Sequence, residues 1–282
     1  MGSGRLVALA VGLSLLAIGG ETSAFTAPRG GKAGLEFAAG APARAHRDVT
    51  WRAPISAGRA HAGLVAAMGA TDTLWDRDTG VPLRVWGRGI DAPGSVQSAE
   101  AAARHGRDLL ARHLDALAPG STVADFELVG NNLSDGIRSV GFAQRHRGRP
   151  VLGGQVSFRF KHDRLIAIGS EALPRVRVSR TDAPIDAAIA RVRARAWVLA
   201  DAAATASADA VEGPFILPIV RAGAPIAYRE VVRVTGAAER PIGRFAVYLD
   251  AATGAPVARE QLLRFARGVV QSHVPQRGPQ RN

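Results

Sequence analysis

The chain has 282 residues, 47% of them apolar, and a net charge of +12 from 36 basic and 24 acidic side chains. That is enough apolar material for the core of one large domain or two ordinary ones, and it excludes a chain disordered throughout. Cysteine is absent, which excludes disulfides, thiolate metal sites, cysteine nucleophiles and lipid attachment to cysteine.

Only 5% of residues are aromatic, so the core is expected to be built from Val, Leu, Ile and Ala. The basic surplus is almost all arginine, with lysine only at Lys32 and Lys161. No basic run is interleaved with aromatics that would stack on bases, so the arginines read as scattered over solvated faces and no nucleic-acid partner is expected.

Residues 1–24 combine Arg5, a largely apolar run from Leu6 to Ile18 and a small-residue step ending at Ala24. The run covers about 20 Å as a helix, short of the roughly 30 Å of a hydrocarbon core, so it reads as a signal peptide and the mature chain as secreted or periplasmic. A short membrane anchor is the alternative. No later segment is apolar enough to span, because Asp186, Arg191, Arg193 and Arg195 interrupt the next long apolar stretch. Residues 25–70, rich in Gly, Ala, Pro and Arg without a sustained period, read as a flexible leader.

A hairpin is expected from Thr73 to Trp86 around Asp76-Arg77-Asp78-Thr79-Gly80. The two aspartates mimic the start of a calcium loop, but Val81 and Gly87 stand where such a loop needs its Gly and its bidentate Glu, so a turn is expected. Ser98 is positioned to cap a helix ending at Pro119-Gly120, with Ala99, Ala102, Ala103, Gly106, Leu110, Leu114 and Leu117 on one face. Strands follow at 126–129, 137–145, 151–160 and 165–171, with spacers at Asn131-Asn132, Gly148-Arg149-Pro150 and Lys161-His162-Asp163. Alternation places Val156, Phe158 and Phe160 against Val140 and Phe142.

A second helix is expected to begin at a capping Asp182, with Pro184 in its first turn and Ile185, Ala188, Ile189, Val192, Ala196 and Leu199 on its buried stripe. Further strands are expected at 215–220, 227–235, 243–249 and 256–263. The repeated order implies an α+β fold: two consecutive units of one helix packed on an antiparallel sheet.

Reactive chemistry is missing. The histidines, His46, His61, His105, His113, His146, His162 and His273, include no His-Glu-x-x-His pair, and His113 falls on an apolar helix face where a neutral packed ring is expected. There is no Gly-x-Ser-x-Gly elbow, and Gly30-Gly31-Lys32 lacks the rest of a phosphate loop. Asn132-Leu133-Ser134 matches a glycosylation sequon, a pattern common by chance. No catalytic, metal or cofactor site is assigned.

The run from Val140 to Gly154, with Gln144 in a strand, then Gly148, Pro150 and Val151 at a turn, then Gly153 and Gly154, resembles the FTP domain of fungalysin and thermolysin type pro-regions. Residues 185–190, Tyr228-Arg229-Glu230-Val231-Val232 and the turn from Asp250 to Gly254 resemble a PepSY unit, the usual companion. The resemblance implies a cystatin-like build for each unit, with an FTP-like domain and its hairpin over 71–176, a PepSY-like domain over 181–265 and a basic tail or linker over 266–282. It also implies a non-enzymatic pro-region that helps a secreted zinc metalloprotease fold and inhibits it, its partner being that protease's catalytic domain. Such pro-regions are normally followed by the zinc-binding domain, whose motif this sequence does not contain. A free-standing envelope peptide-binding module and a polyanion binder are the alternative readings.

Overall fold

The computed structural model describes residues 35–37, 49–53, 58–179, 181–199, 206–220, 224–239 and 242–262. The expected signal peptide and basic tail, with His46 and His273, lie outside them. Within the stretch read as a leader, β1 (Leu35–Phe37), β2 (Val49–Thr50) and α1 (Gly58–Met68) form, and α1 inserts Leu64 and Met68 fully into the core.

The hairpin of β3 (Ala70–Asp76) and β4 (Pro82–Asp91) turns where the sequence places it. Asp76 Oδ1 accepts the amides of Asp78 at 2.9 Å and Thr79 at 3.2 Å, a local turn with no ion required. Ser98 caps α2 (Ala99–Arg112), accepting the Ala101 amide at 3.1 Å, and a short α3 (Leu114–Leu117) follows. The strands β5 (Phe126–Ser134), β6 (Ile137–His146), β7 (Arg149–Lys161) and β8 (Arg164–Ser170) then form a meander. Its three hairpins use two-residue loops, Asp135-Gly136, Arg147-Gly148 and His162-Asp163, each with positive φ at both positions. That is the mirror-image turn whose twist matches the flanking strands. Asn131-Asn132, expected as a spacer, lies inside β5 instead.

The second half contains α4 (Ala187–Leu199) and strands β9 (Ala210–Ile219), β10 (Ala227–Glu239), β11 (Ile242–Asp250) and β12 (Pro256–Gln261). Asp186, not Asp182, caps α4, its Oδ1 accepting the Ala188 amide at 2.7 Å. The helix is also rotated from expectation. Ala190, Ala194 and Val198 face the sheet, whereas Ile189 and Val192 are 49% and 69% exposed.

The expected fold class, two separate units of one helix on an antiparallel cystatin-like sheet, is overturned by the strand order. All twelve strands belong to one mixed sheet, β1-β12-β11-β10-β9-β7-β8-β4-β3-β2, with β6 and then β5 joined to β7 off that path. The junction is a parallel pairing of Val151 with Ile216. Its local cause is in β7. Register with β6 breaks between Ala143 and Arg145, and Gly153 takes φ +77, so residues 151–154 swing out of the ladder and offer Val151 to β9. Among the described residues there are four α-helices, three of them on the first half.

The larger core lies under α1, α2 and α3 and includes Phe142, Phe158 and Phe160, all fully buried, with the expected pairings Val140 to Phe158 and Phe142 to Val156. A second core lies between α4 and Val232, Val234, Val247 and Leu249. Val151, Leu173, Val176 and Ile216 form a cluster of their own at the seam between the halves.

Candidate functional site

Of the residues singled out by resemblance, those from Gln144 to Gly154 lie at or beside this seam, while Asp250 and Gly254 lie in the β11–β12 turn. Gln144 is 1% exposed, and its amide makes a closed pair with the Leu173 backbone: Oε1 accepts the Leu173 amide at 2.8 Å and Nε2 donates to the Leu173 carbonyl at 2.9 Å. The Gln144 side chain lies over Gly154, where a Cβ would sit 2.5 Å from Oε1. Gly148 and Pro150 flank Arg149, whose Nε donates to Glu230 Oε1 at 3.0 Å, while Thr181 N donates to Glu230 Oε2. The Glu230 carbonyl in turn accepts the amide of Ala251 at 2.9 Å, next to Asp250.

Asp250 Oδ1 closes the β11–β12 turn by accepting the amides of Ala252 and Thr253 and the Thr253 hydroxyl, and Gly254 completes the turn at φ +68. Burial alone would raise the Asp250 carboxyl; the hydrogen bonds from Thr253 and Ala252 and the nearby Arg229 outweigh it and hold the group below its ordinary value. Tyr228 adds a bond of 2.5 Å to the Pro174 carbonyl, and burial pushes its phenol up. All eight motif residues are thus seam or turn residues, and none offers a free reactive group.

Among the described residues, no helix packs on the face of the first half away from α1, α2 and α3. Reading across β4, β8, β7, β6 and β5, one row of that face is Arg84, Gly169, Ser157, Gly141 and Gly130. Such faces ordinarily carry long or branched side chains, so this row forms a shallow polar trough, open over Gly141 and Gly130 and filled over the buried Gly169 by the Arg84 guanidinium and Ser157 Oγ. Five strands about 4.8 Å apart give it a length of roughly 19 Å, the reach of five or six extended residues.

Arg84 lies at one end over Gly169, and its Nη2 meets Glu171 Oε1 at 3.3 Å. Gln155 donates to Glu171 Oε2 at 2.9 Å along one wall. On the other wall Trp86 meets Trp51, 65% exposed, with ring centroids 6.1 Å apart. Sequence reasoning missed this site because its residues, from Trp51 to Glu171, lie up to 120 positions apart and meet only through strand register; small residues alternating through the strands were the available signal.

The trough pairs no nucleophile with a base, and among the described residues no three His, Asp or Glu are grouped to hold a metal ion. His113, 9% exposed with its Nε2 unpartnered, fits its expected role as a packed ring: burial first, then Arg112, lowers its pKa below the ordinary 6.5. Among the described residues no helix is long and apolar enough to cross a membrane.

No known family profile matches the chain, and no curated protein does. Among solved structures, the Bacillus megaterium YpeB C-terminal domain is similar with a TM-score of 0.31 and 14% identity, over 68% of this chain and 77% of that one. So distant a likeness carries no argument about function.

Proposed function

We propose that the protein is a non-enzymatic binding module that receives an extended stretch of another polypeptide in the trough on its open sheet face. The observation that carries this reading is the row from Arg84 to Gly130: a floor of Gly and Ser admits a backbone closely, Arg84 marks one end for a carboxylate or carbonyl, and Trp51 and Trp86 offer apolar contact on one wall. The stretches resembling FTP and PepSY units support a finer version, in which the partner is the catalytic domain of a secreted thermolysin or fungalysin type metalloprotease and this chain acts as its folding helper and inhibitor outside the cytoplasm. Binding would then restrain the protease as an interface, with no chemistry on this chain.

The test titrates the purified chain into a thermolysin-type protease from the same source and follows both activity and refolding yield. Inhibition or assisted refolding is expected, weakened at least tenfold by Ser157→Trp and Ser139→Trp, which fill the trough from its floor and from the neighbouring row. Unchanged activity and refolding at micromolar excess of the unmodified chain would remove the protease reading. Binding that both variants leave intact would remove the trough.

A further inference from the structure

The rotation of α4 leaves an apolar stripe facing solvent. On the helical wheel Ala188, Val192, Ala196 and Ile189 fall within an arc of about 100°, opposite the Ala190, Ala194 and Val198 face that meets the sheet. Val192 is 69% and Ile189 49% exposed. Arg191 and Arg195 run along one side of this stripe and Arg193 along the other, all three exposed. Arg193 Nη1 donates to the Thr253 carbonyl, whereas Arg191 and Arg195 form no ion pair among the described residues. The helix therefore shows solvent an apolar strip between two guanidinium edges.

We infer that this face of α4 docks an acidic amphipathic helix of another protein, one with an apolar stripe edged by Asp or Glu on both sides. Charge decides the occupant. A second copy of the chain would set arginine edge against arginine edge, and the net charge of +12 adds repulsion between copies. Outside the described residues this chain carries only Glu21, Asp48 and Asp201 as acidic residues, too scattered to edge a helix. An anionic membrane meets the charge requirement but not the apolar one. Between Ala188 and Ala196 the strip offers only two Ala, one Val and one Ile, little apolar bulk to insert, and Trp197 packs toward the sheet with Arg259 over its ring at 5.2 Å. Small and branched side chains instead suit close packing of a second helix. The inference stands apart from the trough, which lies on the other half.

The experiment uses the full chain and a fluorescent synthetic helix with an Ala/Leu stripe edged by glutamates, read by anisotropy. Expected are binding that weakens with salt, a loss of at least tenfold in Val192→Asp and in Ile189→Asp, and a swap of preference to a lysine-edged peptide in the Arg191→Glu/Arg195→Glu variant. Val192 is exposed enough that its substitution leaves the fold intact, which circular dichroism checks, and Val129→Asp on β5 serves as a control that leaves binding unchanged. Three results would overturn the inference: equal binding of glutamate-edged and lysine-edged peptides or binding of neither; binding to vesicles of phosphatidylcholine with one quarter phosphatidylglycerol that Val192→Asp abolishes; or a dimer in sedimentation that Val192→Asp dissolves. Trough variants such as Ser157→Trp leave peptide binding unchanged, so failure here and failure of the trough reading are told apart.

Discussion

Gln144 shows how one side chain can bind a motif together. Its amide satisfies both backbone groups of Leu173, and its body occupies the space that makes Gly154 obligatory. Gln144→Leu removes the partner of a buried amide and carbonyl at once and is expected to cost about 2–4 kcal/mol, counting about 1–3 for each group left unpaired less partial rescue by water. Gly154→Ala drives a methyl into the same amide and is expected to cost about 1–3 kcal/mol. Because both act on one contact, the double variant in urea unfolding should cost clearly less than the sum; strict additivity would show that the two do not meet. The sequence showed Gln144 and Gly154 as a pattern through resemblance, yet it did not show why they belong together, because the contact needs the register break opposite residues 151–154. Arg138 was not legible at all. It is 7% exposed on the helix side of β6, where alternation asks for an apolar residue, and it is satisfied by the carbonyl of Val96 and by Asn131, neither of which any local pattern connects to it.

At the scale of elements, hairpin positions were partly readable: the turn at His162-Asp163 falls where expected, the turn at Arg147-Gly148 one residue early, and the first at Asp135-Gly136 rather than at Asn131-Asn132, where the sequence placed the spacer. The helices were readable in place and only partly in orientation. In α2 large and small residues are segregated, so a single face can be the core face, and Ala102, Gly106 and Leu110 lie where the period puts them. In α4 alanine recurs on every side, and two stripes compete. The sheet decides between them: Val232, Val234, Val247 and Leu249 already fill the layer, so the helix approaches with Ala190 and Ala194. Ala194→Leu, on a side chain 2% exposed, is therefore expected to lower stability by about 1–3 kcal/mol in chemical denaturation. Val192→Leu, two residues earlier on the outer face, should change it by less than about 0.5 kcal/mol. The reverse order would restore the rotation expected from the sequence.

For the whole molecule, the seam is where two readable halves become one unreadable sheet. A parallel pairing between β7 and β9 links residues 65 positions apart, and neither strand's alternation announces it. The ion pair of Arg149 with Glu230 lies beside it, with side-chain exposures of 25% and 3%. Arg149→Ala leaves a carboxylate buried with a backbone amide as its remaining partner and is expected to destabilise by about 3 kcal/mol. Calorimetry should then resolve two transitions in place of the joint one, and adding Glu230→Gln should recover part of the loss by removing the stranded charge. A single transition at the original temperature would mean that the apolar cluster around Val151 and Ile216 holds the halves without help.

The two shortest strands bring a last consequence. β1 closes one end of the strand order and β2 the other, yet Phe37 and Val49 are 12 residues apart along the chain. Twelve residues reach at most about 42 Å, close to what nine strand spacings would measure laid flat, so this stretch acts as a tether on how far the extremities can separate. Cutting the backbone between Phe37 and Val49 would abolish that limit while leaving the β1–β12 and β2–β3 pairings in place.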